Sequence, residues 1–268
     1  MPRYKLTIEY DGTGLVGWQR QLTGPSVQEI LETAVERFTG KAVRVQGAGR
    51  TDAGVHATGQ VAHVDLDRPF RVSEVQGAIN YHVKPAAVSV LAVERVPDSF
   101  HARLSANHRS YLYRILNRRA PPAIERNHVW HVPLPLDLDA MIAGAAYLVG
   151  HHDFTSFRAA MCQARSPLKT LDSLKLTRVG EEIHVVPAAR SFLHHQVRNI
   201  VGTLKLVGSG QWQPDDVKRA LDARDRAAAG PTAPPDGLYL TRVLYPPEAM
   251  LEQADGELVD TDPEDDVE

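Results

Sequence analysis

Residues 42–67 read AVRVQGAGRTDAGVHATGQVAHVDLD, and the reading of its middle decides the fold. The centre, GAGRTDAGVHA (47–57), holds one carboxylate, Asp52, with Arg50 two positions before it and three glycines and three alanines around the pair. One reading is a phosphate cradle beginning Gly-x-Gly, which needs a strand before it and a helix after it. Here Asp52 takes the place of the last glycine, and QVAHVDLD continues as an alternating strand. The pattern is therefore strand, loop, strand, which argues against a dinucleotide fold, and no Gly-Lys-Ser/Thr sequence is present. A second reading is a tight glycine turn with Arg50 and Asp52 as a solvated ion pair. A third starts from the small residues, which let a backbone or a ligand approach closely. A carboxylate crowded in this way must be paired or protonated. A nearby arginine favours the ionised form, and an ionised, desolvated carboxylate without a metal serves as nucleophile or base.

Outward from this loop, RYKLTIEY (3–10) alternates as a strand. SVQEILETAVERFTG (26–40) reads as a helix, with Ser26 and Glu29 spaced as a capping box and Gly40 as its stop. AVRVQ is expected to be a strand, SEVQGAINYHV a capped helix and VSVLAVERV a strand. The second half resembles that order. HRSYLYRILN, SLKLTRV, EIHVVPAARSF and LYLTRVLY are strands, and DLDAMIAGAAYLVG, HHQVRNIVGTLKLVG and DDVKRALDARDRAAA are helices. Two similar α+β halves, 1–104 and 105–247, with helices covering one side of a sheet, are the natural architecture. Strand order cannot be read from this pattern.

The 268 residues, 43% hydrophobic and 24% charged, suit a globular chain with a real core. No run of eighteen apolar residues and no signal-like leader is present, which points to the cytoplasm. The single cysteine, Cys162, rules out an internal disulfide and a multi-cysteine zinc site. The net charge of -3 is unevenly spread: ten acidic and no basic side chains lie from Glu248 onward, leaving residues 1–247 at +7. Residues 248–268 read as a disordered acidic tail. Arginine outnumbers lysine 23 to 7, a bias that suits phosphate and base contacts but also follows from a GC-rich genome.

GRTDAGVHA resembles the signature of the tRNA pseudouridine synthase A family. EYDGTGLVGWQRQ, SVQEILE, GQVAHV, FHARLSA, SYLYRILN, DFTSFR, VRNIVGTL and GLYLTRV resemble further blocks in the same order, over about residues 3–245. Ser166 and Gln196 depart from the family pattern, where Thr and Met are common. The resemblance implies an α+β fold with a mixed, largely antiparallel sheet, helices on one side and an RNA-binding cleft on the other. It implies isomerisation of uridine to pseudouridine in the tRNA anticodon stem-loop, at tRNA positions 38, 39 and 40, by a homodimer, without cofactor or metal and without DNA or membrane partners.

By the same resemblance Asp52 attacks ribose C1' or uracil C6, a deprotonation at C2' being a further route, once the base has flipped out of the stack. Arg50 fills the space the base leaves, with Thr51 beside it. Tyr111 stacks on uracil and assists proton handling, Arg198 pairs with the carboxylate, and Leu240 packs against the base. The small residues around Asp52 are expected to give the nucleotide room. An arginine inside the apolar helix VRNIVGTL wants a buried partner, which supports the Arg198 pairing independently. The pairs His151–His152 and His194–His195 invite a metal reading, but sequence neighbours point different ways on a helix and no second motif has zinc spacing. A non-catalytic tRNA-binding protein is the competing reading, and it has no need of Asp52, Arg50, Tyr111 and Arg198 together.

Overall fold

The computed structural model describes residues 1–250. The first strand, β1 (Arg3–Tyr10), buries Tyr4, Leu6, Ile8 and Tyr10 on one face, each large apolar side chain contributing roughly 1.5–3 kcal/mol. Helix α1 (Val27–Thr39) answers it with Val27, Leu31, Ala34 and Val35, all buried on one stripe. Ser26 accepts the Glu29 N–H at 3.3 Å and Gly40 ends the helix at φ 73°. Half of the expected capping box forms, because the Glu29 carboxylate turns to Arg20 at 3.6 Å. A two-residue strand β2 (Gln46–Gly47) and the long β3 (His56–Asp65) follow, then α2 (Val72–His82) and β4 (Val88–Val96).

The second half runs β5 (His108–Leu116), β6 (Trp130–His131), α3 (Leu138–Ala146), β7 (Gly150–Asp153), β8 (Leu168–Val179) and β9 (Glu182–Ala189). It closes with α4 (Gln196–Gly208), α5 (Pro214–Ala223) and β10 (Leu238–Leu244). One sheet results, in the order β4-β1-β3-β10-β5-β9-β8-β7, with β2 pairing β3 and β6 pairing β5. This is the mixed, largely antiparallel α+β fold expected. Along the main path the exception is β10 beside β3, a parallel pair with Tyr239 opposite His56 and Leu240 opposite Ala57. Parallel pairing brings the starts of β3 and β10 to the same end of the sheet. The loop before β3 and the segment before β10 therefore meet, and antiparallel β5 sets Tyr111 beside Leu240. That meeting point is the candidate site.

Three local expectations are corrected. Of AVRVQ only Gln46 enters a strand, because the Val45 backbone is satisfied from α1: its C=O accepts from Gln28 Nε2 (3.0 Å) and its N–H donates to Glu32 Oε1 (3.2 Å). Helix α2 starts at Val72, with Arg71 as its cap and the Arg71 N–H donating to Glu74 Oε2 at 3.1 Å. The last long helix stops at Ala223, where Arg224 adopts φ 50° and a 3-10 turn over Arg226–Ala228 takes over. The tail expected from 248 lies largely outside the described residues. Glu248 and Ala249 belong to a 3-10 turn, and Met250 packs against the core.

Candidate active site

The loop between β2 and β3 is held down by its own backbone. Thr51 C=O accepts the Trp18 N–H at 3.0 Å, Ala48 N–H donates to Val61 C=O at 2.7 Å, and Gly49 C=O accepts from Gln60 Nε2 at 2.8 Å. The small residues mostly serve this packing. A Cβ on Gly47 would lie 2.4 Å from the Trp18 ring, and one on Gly17 would lie 2.4 Å from the Thr51 carbonyl oxygen. Gly49 alone fits the expectation of room for a nucleotide: the nearest atoms to a Cβ there are Arg109 Nε at 3.9 Å and Tyr111 Oη at 4.0 Å.

Asp52 lies at the end of this loop, 24% exposed. Its Oδ2 accepts from Arg198 Nη1 at 3.0 Å. Arg198 belongs to the first turn of α4 and is fixed by its Nε donating to Ala233 C=O at 2.8 Å. The solvated Arg50–Asp52 pair is absent: Arg50 is exposed and reaches Gln163 Oε1 at 3.5 Å instead. Tyr111 is 8% exposed and edge-on to Phe192, with ring centroids 5.2 Å apart. Burial pushes its phenol up to about 12, with the Asp52 charge adding to the effect and Arg109 opposing it.

Two expected contacts with substrate do not reach the surface. Thr51 is buried, its hydroxyl bonded to Tyr10 Oη at 2.8 Å, so it latches the loop to β1. Leu240 is wholly enclosed between Ala57 and Tyr111 and packs behind the site.

Sequence reasoning missed three groups. Arg109 is buried without an ion-pair partner among the described residues, and donates to the carbonyls of Arg190 (2.5 Å), Ala48 (2.8 Å) and Arg103 (3.0 Å). It ties three segments together beneath Gly49 and Tyr111. The other two are His194 and His195, expected to diverge. Their Nε2 atoms instead lie 3.2 Å from Asp52 Oδ1 and 3.3 Å from Oδ2. His195 is not yet helical; its φ of 62° rotates the chain so that both rings face one carboxylate. His151 and His152 do diverge, to Thr170 Oγ1 and to the Val149 carbonyl. The nitrogens of His194 and His195 with Asp52 could in principle hold a cation, all within 4.8 Å of one another. Arg198 on the same carboxylate would repel it, so the arrangement fits a carboxylate held by donors better than a metal centre.

A carboxylate paired with Arg198, near the space at Gly49 that Arg109 and Tyr111 border, is of the kind that can attack an electron-poor carbon. Comparison with known proteins gives the family. The family model for tRNA pseudouridine synthase matches residues 6–104 and 145–246. The chain belongs to the tRNA pseudouridine synthase family. Synthases of this family isomerise uridine in tRNA to pseudouridine, and this chain is such an isomerase. It is 62% identical over 245 residues to the tRNA pseudouridine synthase A of Paramagnetospirillum magneticum, covering 91% of this chain and 96% of that one. It is 62% identical over 245 residues to that of Rhodospirillum centenum, covering 91% and 100%. To that of a Caulobacter species it is 60% identical, covering 91% and 98%. A solved Cbf5-Nop10-Gar1 complex aligns with 89% of this chain and 49% of its own, at 10% identity and a TM-score of 0.38. Asp52, Arg50 and Arg198 lie within the synthase match, and Tyr111 lies between its two parts. No helix among the described residues is long and apolar enough to cross a membrane.

Proposed function

We propose that this synthase modifies uridines of the anticodon stem-loop, at tRNA positions 38, 39 and 40, with Asp52 as the nucleophile. The observation that carries the reading is the Arg198–Asp52 pair, 3.0 Å apart with the carboxylate 24% exposed. It holds the carboxylate near the open space at Gly49. Arg50, Arg103 and Arg190 are exposed around that space, in place to hold phosphates. In the reaction the C1'–N1 bond breaks, a C1'–C5 bond forms, C5 loses its proton and N1 gains one. Asp52 attacks C1' or C6 of a nucleotide flipped from the stack, an excursion that costs a few kcal/mol. Arg50 takes the vacated place, and Tyr111 stacks on the uracil and handles the C5 proton. The reading includes a pair of chains embracing one tRNA in the cytoplasm, which light scattering at about micromolar concentration, the range of weak specific association, tests directly.

The decisive experiment maps pseudouridine in an unmodified tRNA transcript before and after adding purified protein. Pseudouridine confined to the anticodon stem-loop is expected. Its appearance in another arm of the tRNA would overturn the assignment of site.

A further inference from the structure

The Asp52 carboxylate has three partners besides its own loop, unequally divided. Oδ2 accepts a hydrogen bond from Arg198 Nη1 at 3.0 Å and lies 3.3 Å from His195 Nε2. Oδ1 lies 3.2 Å from His194 Nε2. His194 is also the most exposed of the group, at 44% against 28% for His195 and 13% for Arg198. Neither ring makes a hydrogen bond among the described residues, so each is free to turn an Nε2–H towards the carboxylate.

The chain is arranged to achieve this. His195 sits at φ 62° and ψ 3°, a left-handed conformation that strains a residue with a Cβ. Buried Gln196 holds the turn from both sides: its N–H donates to Leu193 C=O at 3.1 Å and its Oε1 accepts the Leu193 N–H at 2.8 Å. His194 C=O accepts the Ala159 N–H at 2.9 Å. Strain kept at a site is a pointer to what the site does.

Resting on Asp52 as the reacting carboxylate, we propose that His195 is a positioning residue that fixes Oδ2 with Arg198, while His194 is a displaceable cover on Oδ1, the oxygen that attacks. Attack at C1' forms Oδ1–C1' as the C1'–N1 electron pair leaves with the uracil ring. Attack at C6 forms Oδ1–C6 and moves the C5–C6 π pair onto the C5–C4–O4 enolate. Either way Oδ2 becomes the ester carbonyl and keeps Arg198 as its donor, with His195 beside it. The charged groups around the rings are Asp52 from the loop, Arg198 from α4 and Arg226 from the turn beyond α5. Burial holds the His195 imidazole below its ordinary range although Asp52 pulls it up, and His194, Arg198 and Arg226 push it further down. His195 therefore meets Oδ2 as a neutral ring. The more exposed His194 lies over Oδ1 and has to swing aside before that oxygen can attack.

The test is the single-turnover rate of pseudouridine formation at saturating tRNA from about pH 5 to pH 8, with tRNA affinity measured alongside. His194→Ala, which uncovers Oδ1, is expected to be about threefold or more faster than the unaltered protein, with affinity within about threefold. His195→Gly relieves the positive φ and so folds; it is expected to be about tenfold slower at every pH, with affinity within about threefold. An unchanged or slower rate in His194→Ala, or a full rate in His195→Gly, would each overturn the proposal. Asp52→Asn separates the two levels: should it stay active, the nucleophile reading itself fails, whatever the histidine variants do.

Discussion

Among the described residues, two clusters join one aspartate and two histidines, and they are held differently. In the first, Asp11, His56 and His128, every side chain bonds to backbone, and Asp11 Oδ1 accepts the Thr13 N–H at 2.9 Å. His56 Nε2 donates to Asn127 C=O at 2.8 Å and its Nδ1 accepts the Gly12 N–H at 3.0 Å. His128 Nδ1 meets the Arg126 carbonyl at 3.0 Å and its Nε2 meets Asp11 Oδ2 at 3.1 Å. The rings of His128 and Tyr239 stack on His56 at 5.0 and 4.8 Å, and the Tyr239 hydroxyl donates to His128 C=O at 2.7 Å. Burial would raise the Asp11 carboxyl, but hydrogen bonds from Thr13 and the two imidazoles outweigh it and leave it below its usual range. This cluster is a latch between the start of β3 and the segment before β6. In the second, the Asp52 carboxylate accepts from Arg198 and lies beside His194 and His195, contacts made by side chains alone. Identical residue types thus give a fastener or a reactive group according to whether backbone or side chains satisfy them.

The largest expected effect comes from stripping the reactive cluster of its fixed charge. Arg198→Gln strips Oδ2 of its charged donor and is expected to cut the rate about 100-fold or more while tRNA binding changes little, as single-turnover kinetics and filter binding would show. A rate within about threefold of normal would mean that Arg198 is only packing.

Arg198 was legible in the sequence because a guanidinium in an apolar helix demands a partner. The alternating strands and the stripe of α1 were legible because burial imposes their periods on nearby residues. The parallel β3–β10 pair was not, since it joins residues about 180 positions apart and leaves no local period. The convergence of His194 and His195 was hidden for another reason. Whether adjacent side chains diverge depends on one backbone angle, and the buried Gln196 that stabilises it reads in sequence as an ordinary helix residue. Val45 was misread because α1 side chains, not a neighbouring strand, satisfy its backbone.

Glycines 47 and 49 sharpen the same contrast within one loop. Gly47→Ala drives a Cβ into the Trp18 ring and is expected to cost about 1–3 kcal/mol in thermal unfolding. Gly49→Ala meets nothing closer than 3.9 Å, so stability is expected to hold within about 0.5 kcal/mol while the rate falls, because the added methyl occupies the nucleotide's space. Equal stability losses in both would show that Gly49 is packing too.

His63 gives a smaller effect, as a buried histidine whose ring bonds no carboxylate among the described residues. Its Nδ1 accepts the Ala102 N–H at 3.1 Å and its Nε2 has no partner among them. Burial lowers it from 6.5 to about 4, with Arg3 and His101 pushing the same way and Asp65 opposing. Its folded value lies below its unfolded one, so the unfolded chain takes the proton first. Stability is full above 6.5 and is lost as pH falls towards 4. That amounts to about 1 kcal/mol by roughly pH 5.5. His63→Asn keeps an acceptor for Ala102 and is expected to flatten this part of the stability profile in denaturant titrations.

The central claim is that the side-chain-held carboxylate reacts and the backbone-held one fastens. Asp52→Asn and Asp11→Asn, compared for single-turnover pseudouridine formation and thermal unfolding in one set of conditions, test it most directly. Asp52→Asn is expected to lose at least about 1000-fold in rate with its unfolding temperature kept, since asparagine fills the same space but forms no covalent adduct. Asp11→Asn is expected to lose about 1–3 kcal/mol of stability and to keep its rate within about twofold. A rate in Asp52→Asn within tenfold of normal, or an Asp11→Asn protein that is stable but inactive, would contradict the account.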